Sequence, residues 1–478
     1  MRLDRLLEGL VYSGKISPGA EIYDICTRPE DVFENTAFVA VRGRRVDSHR
    51  LIDEAVERGA SCIVCEDPSY CYYLEISVVV VTDSRHALAV MSGNLFSNPS
   101  EKLRMIGITG TNGKTTTSYM TGHILSTLGK NVGIVGTLGS VCGTEKIHTS
   151  YTTPEPKALQ SVLSRFVCGG CEYSVMEVSS QGLDQRRTDG ISFEVGVFTN
   201  FSEDHLDYHG TSEAYLRAKE RLALQSRNLL VSSDSPFARR FRKMDNVCYF
   251  SVGHDADFYA TDVESDRNGS RFTFCRRNRK TRIYLPMPGL YNVENALAAL
   301  SVVDLLCPDS INESVLASFP GVCGRLEKLN LETPFDVYID FAHTPEALRN
   351  LLISVREMGY RRILLVFGCG GERDGEKRPK MGAIASELAD LCIITNDNPR
   401  SENPDRIIRD ILSDIRNPAR CSVVTDRREA IRYALSCAEA GDAVILAGKG
   451  HETKQTFASG ESAFDERAVL REILNEEK

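Results

Sequence analysis

Residues 107 to 117 read GITGTNGKTTT, with two glycines close to a lysine and a run of hydroxyls. A turn of this kind that opens a helix aims backbone N–H groups at an anion. Lys114 adds a point charge and Thr115 an oxygen ligand for Mg²⁺. The spacing departs from the common phosphate loop, because Ile108 stands five residues before Gly113, where a glycine is usual. The loop is a shorter form, G-x-x-G-K-T, made of Gly110, Thr111, Asn112, Gly113, Lys114 and Thr115 and followed by Thr116. Glycine turns also occur without any ligand, yet Gly-Lys-Thr-Thr between a strand and a helix favours nucleotide phosphate.

Other residues could do chemistry with that phosphate. Glu177 closes the apolar run EYSVME, where it could help Thr115 hold a magnesium ion or, alone, cap a helix. TNFSEDHLDYHG at 199 to 210 gathers Asp204, His205, Asp207 and His209. Two histidines four apart suit zinc if helical, but among turn formers capping and hydrogen bonding explain most such clusters. Lys219, in YLRAKERL, reads by itself as a solvated helix lysine. The one C-x-x-C, Cys168 and Cys171, lacks the second pair a zinc site needs. GCGGER begins like a dinucleotide fingerprint, but Arg373 at the third glycine position would block close approach to pyrophosphate.

These residues need elements to hold them. RMIGIT reads as a buried strand before the loop, and Met120, Ile124, Leu125 and Leu128 follow at helical spacing. Residues 1–100 alternate short strands with helical patterns, a small α/β domain. A central domain is expected over 101–326, with the polar stretch from SVGHDADF to RRNRK as an antiparallel excursion. Over 327–478, DVYIDFA, RILLVFG, LCIITND, CSVVTD and AVILAG alternate with helical patterns, the signature of a doubly wound parallel sheet. The expected class is α/β in three domains, in keeping with a chain of 478 residues.

Composition narrows the function. Hydrophobic residues at 42% and charged residues at 26% describe an ordinary globular protein, and a net charge of −9 argues against bulk nucleic-acid or anionic-membrane binding. Fifteen cysteines are scattered through a chain with no signal-peptide core, which reads as reduced thiols in the cytoplasm. No apolar stretch approaches the roughly 18 residues of a membrane span.

GTNGKTT, EVSSQGL, TNFSEDHLDYHG with YLRAKE, GLYNVENALAA, GVCGRLE, DFAHTPEAL, FGCGGERDGEKRPKMG, DNPR and GKGHE stand in the order and approximate spacing of the Mur ligases. The chain resembles that family over nearly its whole length, most strongly from residue 106. The match is closest to members that add the third peptide residue of the cell-wall precursor. The resemblance implies a small N-terminal UDP-binding domain, a central phosphate-loop ATPase-like domain and a C-terminal Rossmann-like domain. It implies ATP and Mg²⁺, with Gly110, Thr111, Asn112, Gly113, Lys114, Thr115 and Thr116 at the phosphates. Asn295 would meet adenine, Asp340 the ribose, and Arg325 and His343 the nucleotide. Thr115 and Glu177 would hold one metal ion, His205 and a carbamylated Lys219 a second; an ammonium cannot ligate a cation, whereas a carbamate offers oxygen.

By the same resemblance Thr152, Thr153, Ser179, Gln185 and Arg187 contact the UDP-muramoyl-dipeptide, and Arg373, Asp397, Asn398, Pro399, Arg400, Gly448 and Glu452 the incoming amino acid. D-N-P-R is the form found in members that add meso-diaminopimelate; an isolated N-P-R would read as a surface turn. The uridine end departs from the pattern, with Ser48 where glycine is usual and ICTRPEDV in place of a D-S-R run. The expected partners are small molecules only, and the expected state is a monomer. The alternatives are a lysine-adding Mur ligase, a folylpolyglutamate synthetase-like ligase, a phosphate-loop switch or motor, and an inactive binding protein.

Overall fold

The computed structural model describes residues 1–43, 46–253 and 256–476, so His254 and Asp255 of the polar stretch lie outside the described residues. The chain forms two compact units. One comprises residues 1–109, 129–197 and 216–229, the other 110–128, 198–215 and 230–478.

In the first unit, a five-stranded sheet runs Ser13–Lys15, Ser77–Val80, Ala60–Cys65, Thr36–Val39, Asp24–Cys26. The first pair is antiparallel and the rest are parallel. Period-2 alternation serves both faces: Ala37, Val39, Cys62 and Val64 enter one buried cluster, Phe38, Ala40, Ile63 and Cys65 the other. The same unit carries the neighbouring strands Glu145–Ile147, Gly139–Cys142, Val132–Gly136, Tyr173–Glu177, Arg104–Thr109 and Phe193–Phe198. Strand Tyr173–Glu177 pairs in parallel with Arg104–Thr109 on one side and Val132–Gly136 on the other, which places Glu177 at a carboxyl edge. Within the C-x-x-C, Cys171 has Cys142 as its sulfur neighbour, at 3.2 Å, and all fifteen cysteines are free.

In the second unit, helix Lys114–Thr127 starts at Gly113 (φ 83°) and packs on helix Leu290–Leu306. The latter is apolar nearly all round and correspondingly buried. Strands Phe258–Asp266, Gly269–Arg276 and Arg279–Leu285 form an antiparallel meander, the excursion expected from the polar, turn-rich sequence.

The unit's six-stranded sheet runs Glu327–Leu329, Asp336–Asp340, Ala443–Ala447, Ile363–Phe367, Leu391–Ile394, Cys421–Val423. Only the first pair is antiparallel. Tyr338, Ile363, Leu365 and Phe367 face one core, Val337, Ile339, Leu364 and Val366 the other, so the sheet is covered on both sides. Four adjacent parallel strands therefore send their following loops, which begin at Phe341, Gly448, Gly368 and Thr395, to one edge.

Candidate functional site

The phosphate loop is braced by the segment after strand Phe193–Phe198. Asn112 N donates to Asn200 Oδ1 at 2.8 Å, Thr199 Oγ1 donates to the Asn112 carbonyl at 2.7 Å, and Thr111 N donates to the Asn200 carbonyl at 3.1 Å. Thr111 Oγ1 in turn donates to the Ser202 carbonyl at 3.0 Å. The glycines are required: a Cβ on Gly110 (φ 146°) would lie 1.9 Å from Thr199 Oγ1, and one on Gly113 would lie 2.2 Å from Asn295 Oδ1. Lys114 Nζ donates to the Gly110 and Thr111 carbonyls, both at 2.9 Å, which holds the ammonium over the loop.

Around the loop stand the residues expected at the nucleotide. Arg325 Nη2 donates to Thr115 Oγ1 at 3.1 Å, and its guanidinium lies 4.5 Å from the Phe341 ring centre. Asn295 Oδ1 accepts from Thr117 Oγ1 at 3.3 Å. Asp340 accepts from the backbone N–H groups of Leu326 and Ala342 at 2.6 and 2.7 Å, and burial raises its pKa against the pull of Arg325. His343 donates from Nδ1 to the Phe341 carbonyl at 2.9 Å, which leaves Nε2 as an acceptor. Burial and Lys377 push that imidazole down to about 4, so it is neutral at pH 7. Burial opposes ionisation of Asp204, but His205, His343 and Lys377 together hold its carboxyl below the usual value. His205 itself sits at φ 53° before the short helix Leu206–His209.

His451 packs on the other side of Phe341, ring centres 5.2 Å apart, and its Nδ1 is buried without a hydrogen-bond partner. Burial, with Arg325 and Arg467 adding, pushes it down to about 4. The unfolded chain, with a histidine pKa of about 6.5, binds the extra proton between those two values. The native state should therefore lose stability as pH falls from about 6.5 to 4, by up to roughly 3 kcal/mol from this residue. Melting temperatures between pH 7 and pH 4.5 should show a shallower acid decline for His451→Asn than for wild type. Parallel declines would exclude this origin.

In the first unit, Thr152, Thr153, Ser179, Gln185 and Arg187 come together around Glu177. The fully buried Glu177 carboxylate accepts from Thr137 N at 2.9 Å and from Thr137 Oγ1 at 3.0 Å; Thr137 Oγ1 also lies 3.0 Å from Thr152 Oγ1. The cap of the following helix, Ser180–Asp184, is Ser179, and the Glu177 main-chain carbonyl accepts from Thr153 Oγ1, which also receives Ser179 N. Arg187 donates to the Thr153 carbonyl at 2.7 Å and to Gln185 at 2.8 Å, pairs with Glu155 at 2.7 Å, and lies over Tyr151. Lys219, on helix Ser212–Leu224, is 1% exposed, which rules out the solvated surface lysine.

The loops of the six-stranded sheet carry the remaining set. Close backbone approach joins two of them: a Cβ on Gly371 would lie 1.9 Å from the Pro399 carbonyl oxygen, and Gly371 N donates to the Asn398 carbonyl at 2.9 Å. Arg378, 3% exposed, ties them further by pairing with Glu402 at 2.7 Å and Asp410 at 2.9 Å. Arg400 has φ 55°; its N–H donates to the Thr456 carbonyl and its Nη1 to the Gly371 carbonyl. Burial and then Arg373 push the half-buried guanidinium down, while Asp397 and Glu452 oppose them. Asn398 Nδ2 donates to Glu452 Oε2 at 2.7 Å, and a Cβ on Gly448 (φ 110°) would lie 2.7 Å from Asp397 Oδ2. Arg373 itself is exposed.

Residues 108–303 match the Mur ligase middle domain and residues 324–450 the Mur ligase glutamate ligase domain. The UDP-N-acetylmuramoyl-L-alanyl-D-glutamate–2,6-diaminopimelate ligase of Caldanaerobacter subterraneus subsp. tengcongensis is 40% identical over 481 residues, covering 100% of this chain and 99% of its own. The chain belongs to the Mur ligase family. The ligase of the same name from Clostridium perfringens is also 40% identical, over 99% of both chains. A solved structure under that name superposes with a TM-score of 0.68 at 29% identity, covering 95% of each chain. Folylpolyglutamate synthase from Mycobacterium tuberculosis, at 18% identity and a TM-score of 0.64, covers 76% of this chain and 92% of its own, a likeness of fold alone.

Within this Mur ligase, sequence reasoning left several contributors without a role. Thr199, Asn200, Lys449 and His451 stand inside motifs it had singled out, TNFSEDHLDYHG and GKGHE. Thr137 carried no such signal; its role comes from the strand-end register that sets it against Glu177.

Proposed function

We propose that the protein joins the amine of meso-diaminopimelate to the D-glutamyl γ-carboxylate of UDP-N-acetylmuramoyl-L-alanyl-D-glutamate, converting ATP to ADP and phosphate, in the synthesis of the peptidoglycan precursor. The observation that carries this reading is the full-length identity of 40% to ligases bearing that name.

A carboxylate is a poor acyl donor. Its attack on the terminal phosphoryl group of ATP makes an acyl phosphate, and the amine then expels phosphate through a tetrahedral intermediate. Lys114 and the N–H groups at the start of helix Lys114–Thr127, from Gly113 to Thr115, neutralise the phosphates and position them. Asn295, Arg325, Asp340 and His343 are assigned to the nucleotide. Thr152, Thr153, Ser179, Gln185 and Arg187 are assigned to the muramoyl-dipeptide. Arg373, Asp397, Asn398, Pro399, Arg400, Gly448 and Glu452 are assigned to the diaminopimelate.

The residues proposed for metal fit Mg²⁺ by their chemistry. Glu177 offers carboxylate oxygens, Thr115 offers a hydroxyl, and Lys219 becomes an oxygen donor once carbamylated. Thr115 and Glu177 are proposed for one ion, His205 and the carbamylated Lys219 for a second. Bound there, Mg²⁺ would screen the repulsion between carboxylate and triphosphate. Domains at 1–100, 101–326 and 327–478, a monomeric state and a cytoplasmic location belong to the same reading. Among the described residues no helix is long and apolar enough to cross a membrane.

The test is product analysis with purified protein. ADP and phosphate should form only when ATP, the UDP-muramoyl-dipeptide and the amino acid are all present. AMP and pyrophosphate, or turnover without an acceptor amine, would overturn the reading.

A further inference from the structure

We propose that Lys449 is a positioning residue for the amino acid substrate, acting through Asn398 and Glu452; this rests on the function proposed above. Lys449 follows strand Ala443–Ala447 between Gly448 (φ 110°) and Gly450 (φ 56°), and it is 0% exposed. A lysine is almost never fully buried unless its charge is paired. Its ammonium has three acceptors: the Lys454 carbonyl at 2.7 Å, Glu452 Oε2 at 3.1 Å and Asn398 Oδ1 at 3.3 Å. Those contacts match the three protons of an ammonium, so Lys449 has none to give a substrate.

The contacts decide what Asn398 and Glu452 present. Asn398 Oδ1 accepts from both Lys449 Nζ and the backbone N–H of Thr456, the latter at 3.1 Å. Neither group can act as an acceptor, so the amide cannot turn over without facing N–H against N–H. Nδ2 is thereby directed at Glu452 Oε2, at 2.7 Å, with its second N–H to offer. Glu452 Oε2 serves both Lys449 and Asn398, which leaves Oε1 for an ammonium. The same small network reaches Arg400, because Thr456 gives its N–H to Asn398 and its carbonyl to Arg400 N. Without Lys449, the amide loses one of the two donors that orient it. Glu452 also loses its counter-charge, and the strand Lys454–Phe457 loses an anchor.

The experiment compares wild type, Lys449→Met, Asn398→Ala and the double variant in steady-state kinetics, with melting curves for each. Lys449→Met should raise KM for diaminopimelate about tenfold, the effect of a lost hydrogen bond to a charged group, and leave KM for ATP within about twofold. The double variant should lose less than the product of the two single effects, because part of what Lys449 does passes through Asn398. Effects that multiply, or a fall in kcat with KM for diaminopimelate unchanged, would overturn the proposal. Lys449→Gln, which keeps a donor for Asn398 and for the Lys454 carbonyl, should recover part of the lost affinity. If neither Lys449 variant melts cooperatively, Lys449 serves the fold alone and the proposal fails. Absence of diaminopimelate-dependent phosphate release by wild type would instead sink the proposed function.

Discussion

Lys219→Ala is expected to lose roughly a hundredfold or more in turnover, and added bicarbonate is expected to leave it there. Lys219 is 1% exposed on helix Ser212–Leu224, so its amine is withdrawn from water and its polar end must be matched within the protein. A carbamate there would convert a cation, useless as a metal ligand, into an oxygen donor suited to Mg²⁺. Alanine removes the nitrogen on which the carbamate forms, so no supply of bicarbonate can rebuild it. The assay is phosphate release at saturating substrates with and without bicarbonate, beside a melting curve that separates lost chemistry from lost fold. Near-normal turnover by the alanine variant would remove Lys219 from the reaction.

Arg400→Ala is expected to lower kcat/KM for meso-diaminopimelate about thirtyfold, leave KM for ATP within about twofold, and create no lysine enzyme. Diaminopimelate is lysine with a second carboxylate at the far carbon, and a guanidinium offers that group a bidentate partner. The guanidinium is half-buried on a loop held by the Thr456 carbonyl and by the close approach of Gly371 to Pro399. Since Arg400 already gives one N–H to the Gly371 carbonyl, its isolation beside lysine is incomplete. The expected penalty is therefore about 2 kcal/mol, at the lower end for a desolvated charge left without its partner. A loss shared equally by ATP and diaminopimelate would mean that Arg400 supports the fold of the loop and has no part in specificity.

Strand alternation and glycine turns made the architecture readable. The runs DVYIDFA, RILLVFG, LCIITND and AVILAG became adjacent parallel strands because each is apolar on both faces and followed by turn residues. The phosphate loop was legible because only glycine tolerates the approach of Thr199 to Gly110 and of Asn295 to Gly113. Burial at single helix positions was not. Lys219 lies in a polar stretch, YLRAKERL, whose composition favours a solvated face, and only tertiary packing covers it. Lys449 was hidden for a similar reason: three acceptors, from Asn398, Glu452 and Lys454, converge on it from loops that no local pattern relates. Thr137 meets Glu177 across 40 residues of sequence, a distance at which local propensity is silent.

The choice of amino acid is the central claim, and one measurement tests it most directly: kcat/KM for meso-diaminopimelate and for L-lysine, from phosphate release by the unaltered protein with ATP, Mg²⁺ and UDP-N-acetylmuramoyl-L-alanyl-D-glutamate. Diaminopimelate is expected to be favoured by about thirtyfold or more, the ratio that corresponds to roughly 2 kcal/mol. Equal or better use of lysine would contradict it.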